Sequence, residues 1–270
     1  MIKCWVILPL LLIVTLSCQK VPLTKRNQLS LVSTSQLDSM AGSDYRKFLD
    51  SAKVIQGTTE AEMVQRVGER IACAVGWYFN EHNQNQKLKN YKWEFNLVQD
   101  TVANAWAMPG GRVAVYSGIL PIAENETGLA VVMAHEVSHV VANHGEERLS
   151  QALLVQLGGI TLAEALHKKP EFTRQLFMAA YGVGATVGVL LPYSRLHESE
   201  ADRLGLIFMS MAGFDPHAAI GFWSRMMKEQ NAPSPPEFLS THPGNEQRLE
   251  NIEKLIPEAM RYLNKAKCPQ

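Results

Sequence analysis

A chain of 270 residues, 46% of them hydrophobic, can bury a full core, so one compact catalytic domain with terminal appendages is expected and a second independent domain is not. Lysine plus arginine equals aspartate plus glutamate, 26 against 26, which leaves no net electrostatic pull toward nucleic acid or anionic lipid. No nucleic-acid partner is expected.

Residues 1–20, MIKCWVILPLLLIVTLSCQK, carry Lys3, then an apolar run from Cys4 to Leu16 that is short for a bilayer span, then Ser17-Cys18. That order is the pattern of a bacterial secretory signal. Ser17 before Cys18 resembles a lipoprotein signal, in which the cysteine becomes the lipidated first residue, although Thr15 and Leu16 depart from the commonest form. Gln19 after Cys18 resembles lipoproteins sent to the outer membrane. The expectation is a signal peptide over 1–18, a tether over 19–40 and a catalytic domain over 41–265, anchored through an N-terminal lipid and facing the periplasm. With Cys4 and Cys18 assigned to targeting, Cys73 and Cys268 remain, and an exported compartment would let them pair. Sequence supplies no Cα separation that decides it.

From about Gln36 to His82 apolar residues recur at helical spacing (Tyr45, Phe48, Leu49, then Met63, Val67, Ile71, Val75, Tyr78), which predicts two amphipathic helices separated by Gly57-Thr58-Thr59. Tyr91 to Val98 alternates in the period of a half-buried strand. Two more strands are predicted at 103–107 and 112–116, joined through Pro109-Gly110-Gly111, giving a small antiparallel sheet with a tight hairpin. Asn125 can cap a helix running to about Asn143, and because Leu129 to Ala134 is apolar all round, this helix is expected at the centre of the domain. Leu149 to Leu166 and Phe172 to Leu191 are mostly apolar; the uncharged stretch from Leu176 to Pro192 suits either a helix buried against the central one or insertion in a membrane. Further helices are predicted near Ser194, after Asp215-Pro216, and from about Gly244 following the Pro-rich loop 233–236.

His135-Glu136-Val137-Ser138-His139 is HExxH inside the central helix. Residues four apart lie only about 40° apart around a helix, so both imidazoles can face one ion with Glu136 beside it. A catalytic zinc takes three protein ligands and keeps a position open for water, so a third ligand must come from elsewhere. A histidine six residues after His139 would serve in one zincin class, but that residue is Gly145. His144, on a continuous helix about 140° round from His139, would face away and is read as structural or as support for the ligands. Glu198 and Asp202 are four apart on a later helix, so one can bind the ion while the other receives the N–H of a ligating histidine, with Glu200 pointing away. Zinc lowers the pKa of its water toward ~7, and Glu136 is placed to accept that proton as a peptide carbonyl is attacked. Candidate donors to the resulting oxyanion are His242, Arg248 and Tyr193.

These stretches together resemble metallopeptidase family 48, which holds HtpX, the CAAX-processing proteases, the mitochondrial Oma-type peptidases and bacterial lipoprotein relatives. The matching segments are Asn104 to Gly111 (NAWAMPGG), HEVSH, Tyr193-Ser194-Arg195 through EADRLG, and Ser240-Thr241-His242-Pro243 with Arg248, covering roughly residues 40 to 260. The resemblance implies an α+β, mostly helical zincin of the gluzincin type, with a small antiparallel sheet beside the active-site helix. It implies one Zn2+ on His135, His139 and Glu198, Glu136 as general base, and Asp202 as support for a ligand. It makes the strand Asn104, Ala105, Trp106, Ala107 a substrate-binding edge, with Trp106 standing where phenylalanine is usual. His242 matches a family histidine that either helps the oxyanion or caps the zinc as a self-inhibiting fourth ligand. The implied activity is ATP-independent endoproteolysis of misfolded envelope proteins; the rival from another class is a chaperone-like binding module with a capped or structural zinc.

Overall fold

The computed structural model describes residues 18–21, 23–157, 160–183, 194–231, 235–265 and 268. Most of the signal segment, part of the 176–192 stretch and Tyr193 therefore lie outside the described residues. Among those described, no helix is long and apolar enough to cross a membrane.

The segment expected as a tether is instead structured. β1 (Cys18–Lys20) and β2 (Asn27–Leu29) pair as an antiparallel hairpin, and α1 (Thr34–Ser51) follows at once, with the Ser33 side chain accepting from the Gln36 N–H. After the short strand β3 (Val54–Ile55) comes α2 (Thr59–Glu81), capped by Thr58, with Glu60 and Glu62 in its first turn where the helix dipole favours negative charge. The two helices lie where the apolar periodicity predicts them.

β4 (Glu94–Val98), β5 (Ala105–Met108) and β6 (Arg112–Tyr116) complete a four-stranded sheet in the order β3-β4-β6-β5. The β5–β6 hairpin turns through Gly110 and Gly111, both in the left-handed region (φ +80° and +87°) that side chains resist. β4, however, runs parallel to β6, so the sheet is mixed rather than antiparallel as expected from the hairpin alone. Alternation along the strands sends Ala105, Ala107, Val113 and Val115 into one core and Trp106, Met108 and Ala114 into a second on the opposite face. β5 is thus an edge strand buried on both faces.

The first core is organised by α3 (Glu126–Val141). Asn125 Oδ1 accepts from the N–H groups of Thr127 and Gly128, and every residue from Gly128 to Val141 is buried, as an all-round apolar helix requires. α4 (His144–Leu157), α5 (Leu162–Lys168) and α6 (Pro170–Ala180) build the second core with α1. α7 (Arg195–Met211), capped by Ser194, crosses α3, and α8 (Ala218–Lys228) and α9 (Glu246–Leu263) close the other side. Cys73 on α2 is disulfide-bonded to Cys268, with Cα atoms 5.9 Å apart, which pins the C-terminal end to the first core.

Candidate metal centre

α3 supplies His135 and His139, one helical turn apart. α7 reaches them because of Gly205: a Cβ there would sit 3.1 Å from the His135 backbone nitrogen, so a side chain would push the helices apart. That crossing brings in Glu198 from the first turn of α7. His242 arrives from the end of the single helical turn Phe238–Thr241, its ring stacked on Phe238 at 4.5 Å.

Donor atoms of His135, His139, Glu198 and His242 all lie within 4.8 Å of one another, and the four residues are buried. His135 Nε2 is 3.0 Å from His139 Nε2 and 3.2 Å from His242 Nδ1. Glu198 Oε1 is 2.9 Å from His242 Nδ1 and 3.3 Å from His139 Nε2. Glu136, only 2% exposed, has an Oε1 with no hydrogen bond, 3.3 Å from His242 Nε2.

The far side of each helix histidine is also held. His135 Nδ1 faces Asp202 Oδ1 at 3.0 Å. His139 Nδ1 faces His144 Nδ1 at 3.0 Å, and His144 Nε2 faces Glu200 Oε2 at 2.9 Å. Burial keeps the His144 imidazole down at about 4, hence neutral at neutral pH. Since a carboxylate only accepts, His144 carries its proton on Nε2, its Nδ1 accepts, and the proton of His139 sits on Nδ1. His139 therefore turns an Nε2 lone pair toward Glu198 and His135.

The electrostatics ask for a cation. Glu136, Glu198 and Asp202 are three buried carboxylates, of which Glu198 and Asp202 share the guanidinium of Arg248, an arrangement costly without further positive charge. Burial pushes Glu136 up to about 8. Burial opposes charge on His135, yet Glu198 and Asp202 outweigh it and lift that imidazole to about 9. On Glu198 burial is likewise outweighed, by His242, Arg248 and His135, which hold its carboxyl well below the usual range. A divalent cation supplies the charge that these groups otherwise draw in as protons, and a two-imidazole, one-carboxylate set suits zinc. The residues fit such an ion.

The surroundings of three residues differ from those expected. Arg248, expected as an oxyanion donor, is committed elsewhere: Nε and NH2 grip Asp202 at 2.9 and 2.7 Å, NH1 meets Glu198 Oε2 at 2.8 Å, and the guanidinium lies 3.4 Å above the Trp223 ring. It holds carboxylates in place. Trp106, expected at the cleft edge, puts its indole into the second core against Tyr45 and Phe48, because alternation gives that face to the interior. His144 does not face away: α3 ends at Val141, Asn143 takes a left-handed φ of +58°, and the chain re-enters as α4 with His144 turned back to His139. Glu200 does point away from the four donors, as expected, but it ends on His144 rather than in solvent. Its part in holding His139 was missed, and the signal available was another histidine and an acid close to each recognised motif.

The sequence pattern of peptidase family M48 matches residues 59–256. The chain belongs to this family. Among its M48 relatives, mitochondrial metalloendopeptidase OMA1 of Schizosaccharomyces pombe is 33% identical over 243 residues, covering 88% of this chain and 66% of that protein. Mitochondrial metalloendopeptidase OMA1 of Saccharomyces cerevisiae is 38% identical over 197 residues, covering 68% of this chain and 53% of that one. The β-barrel assembly-enhancing protease of Escherichia coli is 31% identical over 231 residues, covering 82% of this chain and 44% of that one. The chain spans about half to two thirds of the length of these M48 proteins. Each is named a peptidase or protease, and nothing among them supports the binding-module alternative.

Proposed function

We propose that this M48 chain is a zinc-dependent endopeptidase that degrades misfolded proteins of the bacterial cell envelope without ATP. The observation that carries the reading is the convergence of His135, His139, Glu198 and His242 beside the buried Glu136. A zinc ion on His135, His139 and Glu198 supplies a Lewis acid for water and for the peptide carbonyl. Glu136, with Oε1 free of hydrogen bonds, accepts the proton of the attacking water and returns it to the leaving nitrogen, so no net proton is consumed. Asp202 and His144 fix the two helix imidazoles in the tautomer that ligation needs, and Arg248 keeps Glu198 and Asp202 ionised and in register. His242 Nδ1 sits among the donors, the station of a self-inhibiting fourth ligand, and a ring swung out of it would offer an N–H to the oxyanion.

Edge strand β5 is placed to receive the substrate. Tyr116 N–H donates to Asn104 C=O, so by the alternation of an antiparallel ladder Trp106 also bonds inward while Ala105 and Ala107 point their main-chain groups outward. Asn104 Oδ1 already takes the Ala105 N–H; the Ala105 carbonyl and both groups of Ala107 face the outer edge, where these residues are only 2% and 3% exposed, so an added strand would first need that edge uncovered. A cleft of about 550 Å3 opens beside Glu198 between α7 and the start of α9, lined by Arg195, Asp202, Asn245 and Arg248.

The envelope location is supported by the charged, apolar, small-residue order of residues 1–18 and by the name of the Escherichia coli relative. Mass spectrometry of the mature N-terminus checks the anchor, with a lipidated Cys18 expected. For the activity, purified chain is expected to cleave casein at a rate indifferent to ATP, and Glu136→Gln to lower that rate by about 10²–10⁴. Equal cleavage by the two proteins sinks the mechanism.

A further inference from the structure

The N-terminal arm is docked against the back of the metal site. Between β1 and β2 the chain carries Thr24 and Arg26 onto helices α4 and α7. Arg26 NH2 lies 2.8 Å from Glu147 Oε2 and NH1 3.2 Å from Oε1, while Nε donates to Glu200 Oε2 at 3.1 Å. Thr24 Oγ1 donates to the other oxygen, Glu200 Oε1. Both oxygens of Glu200 are therefore held by the arm, and Oε2 also receives the His144 Nε2–H. His197, whose ring stacks on His144 at 4.6 Å, faces Glu147 Oε2 at 3.0 Å, so the same guanidinium steadies the carboxylates behind both rings. Farther along, Ser30 Oγ donates to Glu146 and the Leu31 N–H to Ser150 Oγ at 2.9 Å, which fastens the arm to α4.

The chain of contacts Arg26–Glu200–His144–His139 ends on His139 Nδ1, the ring nitrogen opposite the Nε2 that faces the metal site. Each link is directional: the guanidinium fixes the carboxylate, the carboxylate fixes the proton of His144, and the acceptor on His144 fixes the proton and plane of His139. Without the guanidinium, Glu147 and Glu200 are two buried carboxylates side by side, and their mutual repulsion turns Glu200 away from His144.

We propose that Arg26 is a positioning residue for the metal centre, acting through Glu200 and His144 on His139, so that the ion is held tightly only while the N-terminal arm is docked. The inference rests on the reading of the site as a zinc centre. It makes the arm a control element: detaching residues 18–31 from α4 and α7 loosens the ion without altering any ligand.

The test is zinc affinity of the full-length chain, measured by competition with a chromophoric chelator. Arg26→Gln is expected to weaken zinc by about 10–100-fold, the range found when residues that orient a ligand are removed. His144→Phe should weaken it comparably, and adding Arg26→Gln to His144→Phe should do nothing more, because the two act along one path. The absorption spectrum of the cobalt-substituted protein should shift in Arg26→Gln, a signature that a loss of general stability does not produce. If Arg26→Gln fails to fold, Arg26→Lys carries the test, since it keeps the charge but cannot bridge two carboxylates, and it too should weaken zinc. Affinity within twofold of wild type in the folded variant, or full additivity with His144→Phe, overturns the inference. Wild-type chain that binds no zinc, or that binds it as well after His135→Ala, overturns instead the reading of the site beneath it.

Discussion

His242 has one ring nitrogen among the metal donors and the other 3.3 Å from Glu136, so it occupies both the place of a ligand and the space beside the base. A catalytic zinc needs a free position, and at this residue the geometry therefore favours restraint over assistance. His242→Ala is expected to keep its zinc, because His135, His139 and Glu198 remain, and to cleave a short peptide faster than wild type. A fall in kcat with zinc retained would place His242 with the oxyanion instead. At this scale the sequence was most legible where chemistry is local: the two histidines of HEVSH and Glu136 between them lie about one helical turn apart, and the segment Glu198-Ser199-Glu200-Ala201-Asp202 carries Glu198 and Asp202 four apart. Arg26 was not legible, since its partners lie 121 and 174 residues away and nothing in its immediate neighbours marks a bridge.

Helices were readable from their apolar period and, at Asn125, from the cap; Ser33, Thr58, Ser194 and Asn245 also satisfy the free N–H groups at helix starts. Sheet order was less so. The β5–β6 hairpin is local and announces itself through Gly110-Gly111, whereas the parallel pairing of β4 with β6 brings together strands that have a third between them in sequence. The end of the helix near Asn143 was expected, but the positive φ there was not, so His144 was placed as if on a continuous helix, which would have turned it the wrong way. The crossing of α3 and α7 depends on Gly205. Gly205→Val inserts two further carbons beyond a Cβ that already lacks space, and is expected to cost about 1–3 kcal/mol in urea unfolding of the zinc-free chain and to weaken zinc as well. Unchanged stability and affinity would show that the close approach at His135 is not needed.

Over the whole molecule, two cores share one sheet, and the metal centre lies on the α3–α7 side while the arm reaches it from α4. The contacts that fasten the arm include the ion pairs of Arg26 with Glu147 and Glu200, which gives them a pH dependence. For Glu147, burial alone would raise the carboxyl, but His197 and Arg26 outweigh it and hold the group at about 2, below its usual unfolded value of about 4.3. A depressed carboxylate contributes stability that is fully present above the unfolded value and is lost as pH falls toward the folded one. Thermal stability of wild type should therefore fall more steeply than that of Glu147→Gln between about pH 4.5 and pH 2, as followed by circular dichroism. Parallel curves would mean that the arm's ion pairs add nothing to the fold.

The central claim is that side chains from α3 and α7 converge on one divalent cation. Crystals of the zinc-loaded protein, measured on both sides of the zinc absorption edge, test it most directly. The account predicts one strong anomalous peak per chain within bonding distance of His135 Nε2, His139 Nε2 and a carboxylate oxygen of Glu198. A fully loaded protein whose peak lies elsewhere, or that leaves Glu198 uncoordinated with no other residue in its place, contradicts it.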